Sequence, residues 1–246
     1  ELAIRQARQA VEDDMAGGRY RPIYVHKITA GLGADGKPAG WRHRIVGTSI
    51  LQFFKTFGHL LRKDGLDPTS VQGAADYFPY DIPNVYVDYV NNNPGVPSGF
   101  WRLVGNSQNG FILESFVDEL AHAAGKDPAE FRLAILANTP LGESRGAMDP
   151  ARMAAVVRLV VDKSGWARRA ALPKGTGMGL AFHFSHSGYF AEVVEATVAA
   201  NKRVKVNKVW VAGHQGPHPQ EYHKEVFDSI DEATFGKSGT AYTQAS

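Results

Sequence analysis

The chain has 246 residues, 43% of them hydrophobic and 21% charged, enough to bury one large core or two modest ones. Its 27 basic and 25 acidic side chains carry no long runs and leave a formal charge of +2, so no basic face for phosphate backbones is legible and nucleic acid is not expected as a partner. With no cysteine the polypeptide excludes disulfides, a thiolate nucleophile and a cysteine-ligated iron–sulfur cluster, so any electron-transfer centre must lie elsewhere.

The opening ELAIRQARQAVEDD reads as an amphipathic helix rather than a secretion signal. A start on a helix without methionine points to a piece of a longer chain, and no apolar run approaches the ~20 residues of a bilayer span. Arg21 to Leu32 and Lys37 to Ile50 alternate around the Ala34-Asp35-Gly36 turn and predict a β-hairpin. Residues 51 to 83 give no firm period, Pro83 to Val90 alternates as a strand, and Asn91 to Gly99 is a polar loop.

Ser107 to Ala124 places Phe111, Leu113, Phe116, Val117 and Leu120 on one side of a predicted helix that Gly125 closes. Asp127 caps the next helix, with Pro128 in its first turn and Glu130 completing a capping box. Asp149-Pro150 opens a third helix running to Lys163. Gly175, Gly177 and Gly179 precede an extended stretch, and Ala191 to Val198 pairs with Arg203 to Ala212 as a second hairpin. Beyond Gly213 the pattern fades into a polar tail with one short helix expected around Tyr222 to Ile230. Hairpins and helix pairs in separate blocks indicate an α+β fold.

Several constellations invite chemical readings. Gly175-Thr176-Gly177-Met178-Gly179 superficially resembles a phosphate loop, but it leads into a strand and offers no helix dipole. His183 and His186, with His214, His218 and His223, could be imagined around zinc, yet an odd spacing on a strand sets the first two on opposite faces. Ser185 and Ser187 flank His186 without any nucleophile elbow. Glu114, Asp118 and Glu119 are read as a solvated helix face, since carboxylates at i and i+4 repel unless cations pair them. The segment FWRLVGNSQ, Phe100 to Gln108, sets two aromatics and an arginine in a loop entering a helix. Arg102 there can make a two-pronged contact to a phosphate or oxo group, and Gly105, Asn106 and Ser107 can bring backbone amides close to a ligand. Trp101 can equally plug the helix end.

That loop also carries a family resemblance. Residues 96 to 136, VPSGFWRLVGNSQNGFILESFVDELAHAAGKDPAEFRLAIL, closely resemble the large subunits of the molybdenum hydroxylase (xanthine dehydrogenase/aldehyde oxidase) superfamily, in the branch of isoquinoline 1-oxidoreductases and membrane-bound aldehyde dehydrogenases. The likeness runs in collinear order through residues 12 to 47, DGLDPTSVQGAADYFPYDIPN and GMGLAFHFSHSGYFAEVVEATV to about Ala212. Residues 1 to 216 would then be a partial molybdopterin-binding domain, incomplete relative to the family, and 217 to 246 an irregular tail outside the resemblance.

The resemblance implies part of a subunit that holds molybdenum on molybdopterin cytosine dinucleotide, in an oxidoreductase that hydroxylates N-heteroaromatics or oxidises aldehydes with water as the oxygen source. It implies cofactor contacts at Phe100, Trp101, Arg102, Gly105 and Gln108. It also implies partners: an iron–sulfur small subunit, the remaining part of the large subunit and a cytochrome c subunit, in a periplasmic or membrane-associated setting, with the cytoplasm as the alternative. Family members carry a Gly-Gly-Gly-Phe-Gly loop before the EDD segment and a glutamate base in a later Gly-Glu segment. Neither has a counterpart here, so no catalytic residue is assigned and the chain alone is not expected to turn over. The same absences leave a second expectation, a truncated relative without cofactor that serves as a scaffold or interaction module.

Overall fold

The computed structural model describes residues 17–76, 78–137, 139 and 148–215. The expected opening helix and the short helix near Tyr222 lie outside the described residues, as do the tail histidines His218 and His223. The chain divides into two units, one of residues 1–31, 38–78 and 84–113, the other of residues 32–37, 79–83 and 114–246. No helix among the described residues is long and apolar enough to cross a membrane.

The first unit is built on a sheet ordered β1-β2-β3. Strands β1 (Tyr24–Leu32) and β2 (Pro38–Gly47) are the hairpin that the alternation predicts, a few residues shorter at the outer ends. Trp41, His43 and Ile45 alternate inward from β2 and are buried. Strand β3 (Val85–Asn91) is also the expected one, but it lies parallel to β2, in a register from Trp41 opposite Val85 to Gly47 opposite Asn91. Alternation alone specifies neither partner nor direction, and the sequence left both unassigned.

A parallel return requires a crossover, which residues 48–84 supply without a long helix. Three short 3-10 turns occupy it, at Leu51–Phe53, Lys55–Leu60 and Pro68–Ser70. Asp67 ties this irregular stretch together: one carboxylate oxygen accepts from Ser49 Oγ at 2.7 Å and Leu51 N at 3.1 Å, the other from Thr69 N at 2.8 Å. Ile45, Val71 and Ala74 form the core here, with Tyr24, Leu66, Val87 and Tyr89 packed against it. Each fully buried valine or isoleucine of this kind contributes about 1.5–3 kcal/mol.

Helix α1 (Gly105–Ala123) contributes its residues up to Leu113 to the first unit and the remainder to the second. Its buried stripe is Leu113, Val117, Leu120 and Ala121. Phe111, expected on that stripe, is 70% exposed. Two residues of an α-helix turn through about 200°, so Phe111 faces away from Leu113. Gly125, with φ of 64°, ends the helix in the left-handed conformation that its lack of a side chain permits.

In the second unit the aspartate caps appear as expected. Asp127 accepts from Ala129 N at 2.8 Å to start α2 (Pro128–Leu136), and Asp149 accepts from Ala151 N at 2.9 Å to start α3 (Pro150–Ser164). A second sheet, β4 (Thr176–Ser185), β5 (Gly188–Val198) and β6 (Val204–Gln215), is antiparallel throughout, with a bulge between Glu195 and Ala196. Gly177 and Gly179 sit inside β4, so the glycine-rich stretch is strand and opens no helix. Helix α3 packs on β5 and β6, burying Met153, Val156, Val157 and Val160 on the helix and Ala191, Val193 and Ala212 on the strands. Helices and two small sheets in separate blocks make the fold α+β, as the sequence indicates.

Candidate functional site

The loop Phe100 to Val104 runs along the surface of the first unit and enters α1. Leu103 and Val104 both hold positive φ, 67° and 47°, a strained conformation for a branched side chain. Phe100 is 42% and Trp101 50% exposed, and Arg102 is exposed beside them. Trp101 therefore does not plug the helix end; its indole N–H donates to the Arg19 carbonyl at 3.1 Å and its ring stays half open. Phe100 packs at a tilt against Phe54 and edge-to-face with Phe57, with ring centroids 5.1 and 5.8 Å apart.

Two arginines from the segment before β1 complete the surface. The Arg19 guanidinium lies over the Phe54 ring at 4.3 Å. Arg21 reaches the loop itself, donating from Nη1 to Ser107 Oγ at 2.5 Å and from Nη2 to the Arg102 carbonyl at 3.3 Å. Sequence reading gave Arg21 no role beyond opening an extended stretch. The visible signal was Arg19-Tyr20-Arg21, two cations about an aromatic, but only tertiary pairing brings it to the loop.

The remaining predicted residues are placed differently. A Cβ on Gly105 would fall 1.9 Å from the Thr69 carbonyl oxygen, so the missing side chain is accounted for by backbone packing within the protein. The amide of Asn106 donates to the Leu103 carbonyl at 2.9 Å, which removes one of the backbone donors expected to face a ligand. Gln108 is partly exposed and its Oε1 accepts from Ser107 Oγ at 3.0 Å. Asn109, one turn into the helix, is buried and donates to the carbonyls of Ser70 and Gln72 at 3.0 and 2.8 Å.

Glu114 corrects the reading of a solvated carboxylate face. It is buried in the second unit, where Oε2 accepts from Arg132 Nε at 2.9 Å and Phe182 N at 3.0 Å while Oε1 accepts from Tyr80 Oη at 2.5 Å. Arg132 also donates to Asp118 at 2.6 Å. The repulsion expected between Glu114 and Asp118 is thus relieved by one guanidinium that reaches them from α2, a pairing between helices that helical spacing does not reveal. Burial opposes the charge on Arg132, but Glu114, Tyr80 and Asp118 outweigh it and hold its pKa above the usual range. Glu119 remains exposed.

Two histidine groupings stand out. His26 Nδ1 and His43 Nε2 share a hydrogen bond at 2.9 Å inside the first sheet, leaving His26 Nε2 and His43 Nδ1 buried without a partner. Burial, then the neighbouring His26, lowers the His43 pKa to about 4, and burial lowers that of His26. In the second sheet His186 sits in the β4–β5 turn at φ of 51°, not on a strand face, and its Nδ1 lies 2.6 Å from Ser185 Oγ. Among the described residues no group of three or more histidine, cysteine, aspartate or glutamate side chains could hold a metal ion.

An exposed guanidinium that follows two half-open aromatic rings in the same surface loop has the right chemistry for a planar ring system bearing phosphate or oxo groups. Phe100, Trp101 and Arg102 therefore fit a molybdopterin. Gly105 and Gln108 are engaged within the protein and add no such evidence.

Comparison with known proteins shows the family. The family model of the molybdopterin cofactor-binding domain matches residues 6–136, more than half of the chain, including β1 to β3, α1 and the Phe100 loop. A second model, a nuclease family of the HNH/ENDO VII superfamily with conserved AHH, matches residues 195–246. The chain is 29% identical over 209 residues to isoquinoline 1-oxidoreductase subunit beta of Brevundimonas diminuta, covering 82% of this chain and 24% of that protein. It is 30% identical over 196 residues to a probable xanthine dehydrogenase subunit of Bacillus subtilis, covering 76% and 25%. Quinoline 2-oxidoreductase from Pseudomonas putida 86 superposes with a TM-score of 0.49 at 15% identity, over 80% of this chain and 27% of that one. The chain spans about a quarter of the length of these relatives. On the match across residues 6–136, the chain belongs to the molybdopterin cofactor-binding domain family.

Proposed function

We propose that this chain forms part of the cofactor-binding large subunit of a molybdenum oxidoreductase that hydroxylates N-heteroaromatics or oxidises aldehydes with water as the oxygen source. The observation that carries the reading is the exposed Phe100-Trp101-Arg102 loop, pinned from below and lying within the matched domain. The molybdenum group, when bound, supplies the oxygen-transfer and two-electron redox chemistry. This chain's part is to hold it. Arg102 offers its two-pronged donor to the anionic portion, while Phe100 and Trp101 cover ring surface and keep water from it.

The relatives from Brevundimonas diminuta and Bacillus subtilis are both named as subunits, which supports an assembly with further polypeptides. In finer terms, the dinucleotide would be the cytosine form, the electrons would leave through an iron–sulfur small subunit and then a cytochrome c, and the setting would be periplasmic or membrane-associated. The test is to purify the full chain with its co-purifying polypeptides and assay molybdenum by elemental analysis and pterin by the fluorescence of its oxidised form. Both are expected, and both should fall on Arg102→Ala. An assembly without either overturns the reading.

A second reading concerns residues 195–246, on the strength of the nuclease-family match. This stretch carries His214, His218 and His223 and the basic run Lys202, Arg203, Lys205 and Lys208, which suit metal-assisted cleavage of a phosphodiester. It contains no Ala-His-His run, a departure from the motif named for that family. Nicking of supercoiled plasmid in the presence of magnesium or zinc, lost on His218→Ala, is the expected result; intact plasmid under both metals ends this reading.

A further inference from the structure

Arg21 lies outside the Phe100 to Gln108 segment, yet it makes directed contacts on both sides of the turn within it. Its two Nη groups bracket the strained pair: one donates to the Arg102 carbonyl, the residue before Leu103, and the other to Ser107 Oγ, three residues past Val104. Its guanidinium also lies 5.8 Å from the centre of the Trp101 ring. The flanking residues extend this grip. Tyr20 N donates to the Pro97 carbonyl at 2.9 Å, Gly99 N donates to the Tyr20 carbonyl at 3.0 Å, and the Arg19 carbonyl receives the Trp101 indole. Residues 19 to 21 thus run beside the loop as a strap fastened at both ends.

Two consecutive non-glycine residues in the left-handed region persist only where their surroundings over-determine them. Here the bracket is the planar fork of Arg21, whose donors are fixed relative to one another. A lysine could supply the charge, but its donors all sit on one nitrogen and do not form a fixed fork that spans the two acceptors. We infer that Arg21 is a positioning residue: it holds the backbone of Arg102 across the strained turn and so presents the Arg102 guanidinium and the Trp101 ring in the arrangement that grips the cofactor. The inference rests on the cofactor reading above, but its structural half does not.

Arg102 is exposed and so gives a direct readout of loop order, because trypsin cleaves after arginine in segments that can open. In the full chain with its co-purifying polypeptides, Arg21→Ala is expected to accelerate cleavage after Arg102 about tenfold or more while shifting the thermal midpoint little. It is also expected to lower the molybdenum and pterin content per polypeptide several-fold, and Arg21→Lys should resemble Arg21→Ala in both respects. Unchanged cleavage after Arg102, or full recovery of cleavage resistance and cofactor content by lysine, overturns the inference. If faster cleavage leaves cofactor content unaltered, the link from loop to cofactor is refuted. Should wild-type protein contain no molybdenum or pterin, the functional reading fails, while the cleavage rates alone decide whether Arg21 holds the loop.

Discussion

Arg132 and Glu114 form an internal ion pair, Nε to Oε2 at 2.9 Å, in which the arginine side chain is wholly shielded from water and the glutamate nearly so. Because Tyr80 and Phe182 occupy the remaining acceptor sites of Glu114, neither carboxylate oxygen is left without a donor. Removing the arginine would strand a charge in a site built for two. Arg132→Met is therefore expected to destabilise the protein by about 3–5 kcal/mol, and Arg132→Met with Glu114→Leu by less than the two single changes together. Urea unfolding midpoints read this directly, and single variants that each lose under about 1 kcal/mol would contradict it.

The His26–His43 pair makes stability depend on acid. Folding lowers the His43 pKa from 6.5 to about 4 and lowers that of His26 as well, so between those values the unfolded chain binds more protons than the folded one. The stabilisation is complete above pH 6.5 and is lost progressively as pH falls toward 4, on the order of 3 kcal/mol for His43. Chemical denaturation at a series of pH values should show this slope, and His43→Phe should flatten it. Equal slopes in the two proteins would refute the assignment.

Gly105→Ala places a methyl group against the Thr69 carbonyl, where the ideal Cβ would approach to 1.9 Å, and backbone must shift to admit it. A loss of about 1–3 kcal/mol is expected. Gly177→Ala is the control, because its Cβ meets nothing within 4 Å and it lies on a strand. Thermal unfolding of the pair should separate them clearly; similar midpoints would mean that Thr69 yields freely.

Asp127 is more than a helix cap. Besides accepting from the first amides of α2 it pairs with Arg169 Nη2 at 2.5 Å and accepts from Trp166 Nε1 at 3.1 Å. Asp127→Ala should cost more than the ~1 kcal/mol of an ordinary cap, whereas Asp149→Ala should cost about that much. Equal losses for the two would assign the extra contacts no value.

Local rules made much of the fold legible. Asp-Pro pairs announced the starts of α2 and α3, Gly125 the end of α1, and alternation both hairpins. What escaped was set by partners distant in the chain. Nothing in PNVYVDYV says that β3 lies parallel to β2, and Glu114 looks like surface until Arg132 is placed beside it. The site divided the same way. Phe100, Trp101 and Arg102 drew notice for their residue types, but Arg21 acquires meaning only through contacts more than eighty positions away. Gly105 was legible as a glycine of close approach, though what approaches it is Thr69.

The direction of β3 carries a cost in assembly. A hairpin can zip from its turn, but a strand that must lie parallel to its neighbour waits until the whole excursion of residues 48–84 has been made and drawn back. The Asp67 knot of hydrogen bonds ties Ser49 and Leu51 near the start of that excursion to Thr69 beyond its middle. The last strand of the first sheet is accordingly hostage to the least regular stretch of the chain. A nick or an insertion there should leave β1 and β2 zipped while casting β3 adrift, exposing the sheet edge along which it would have docked.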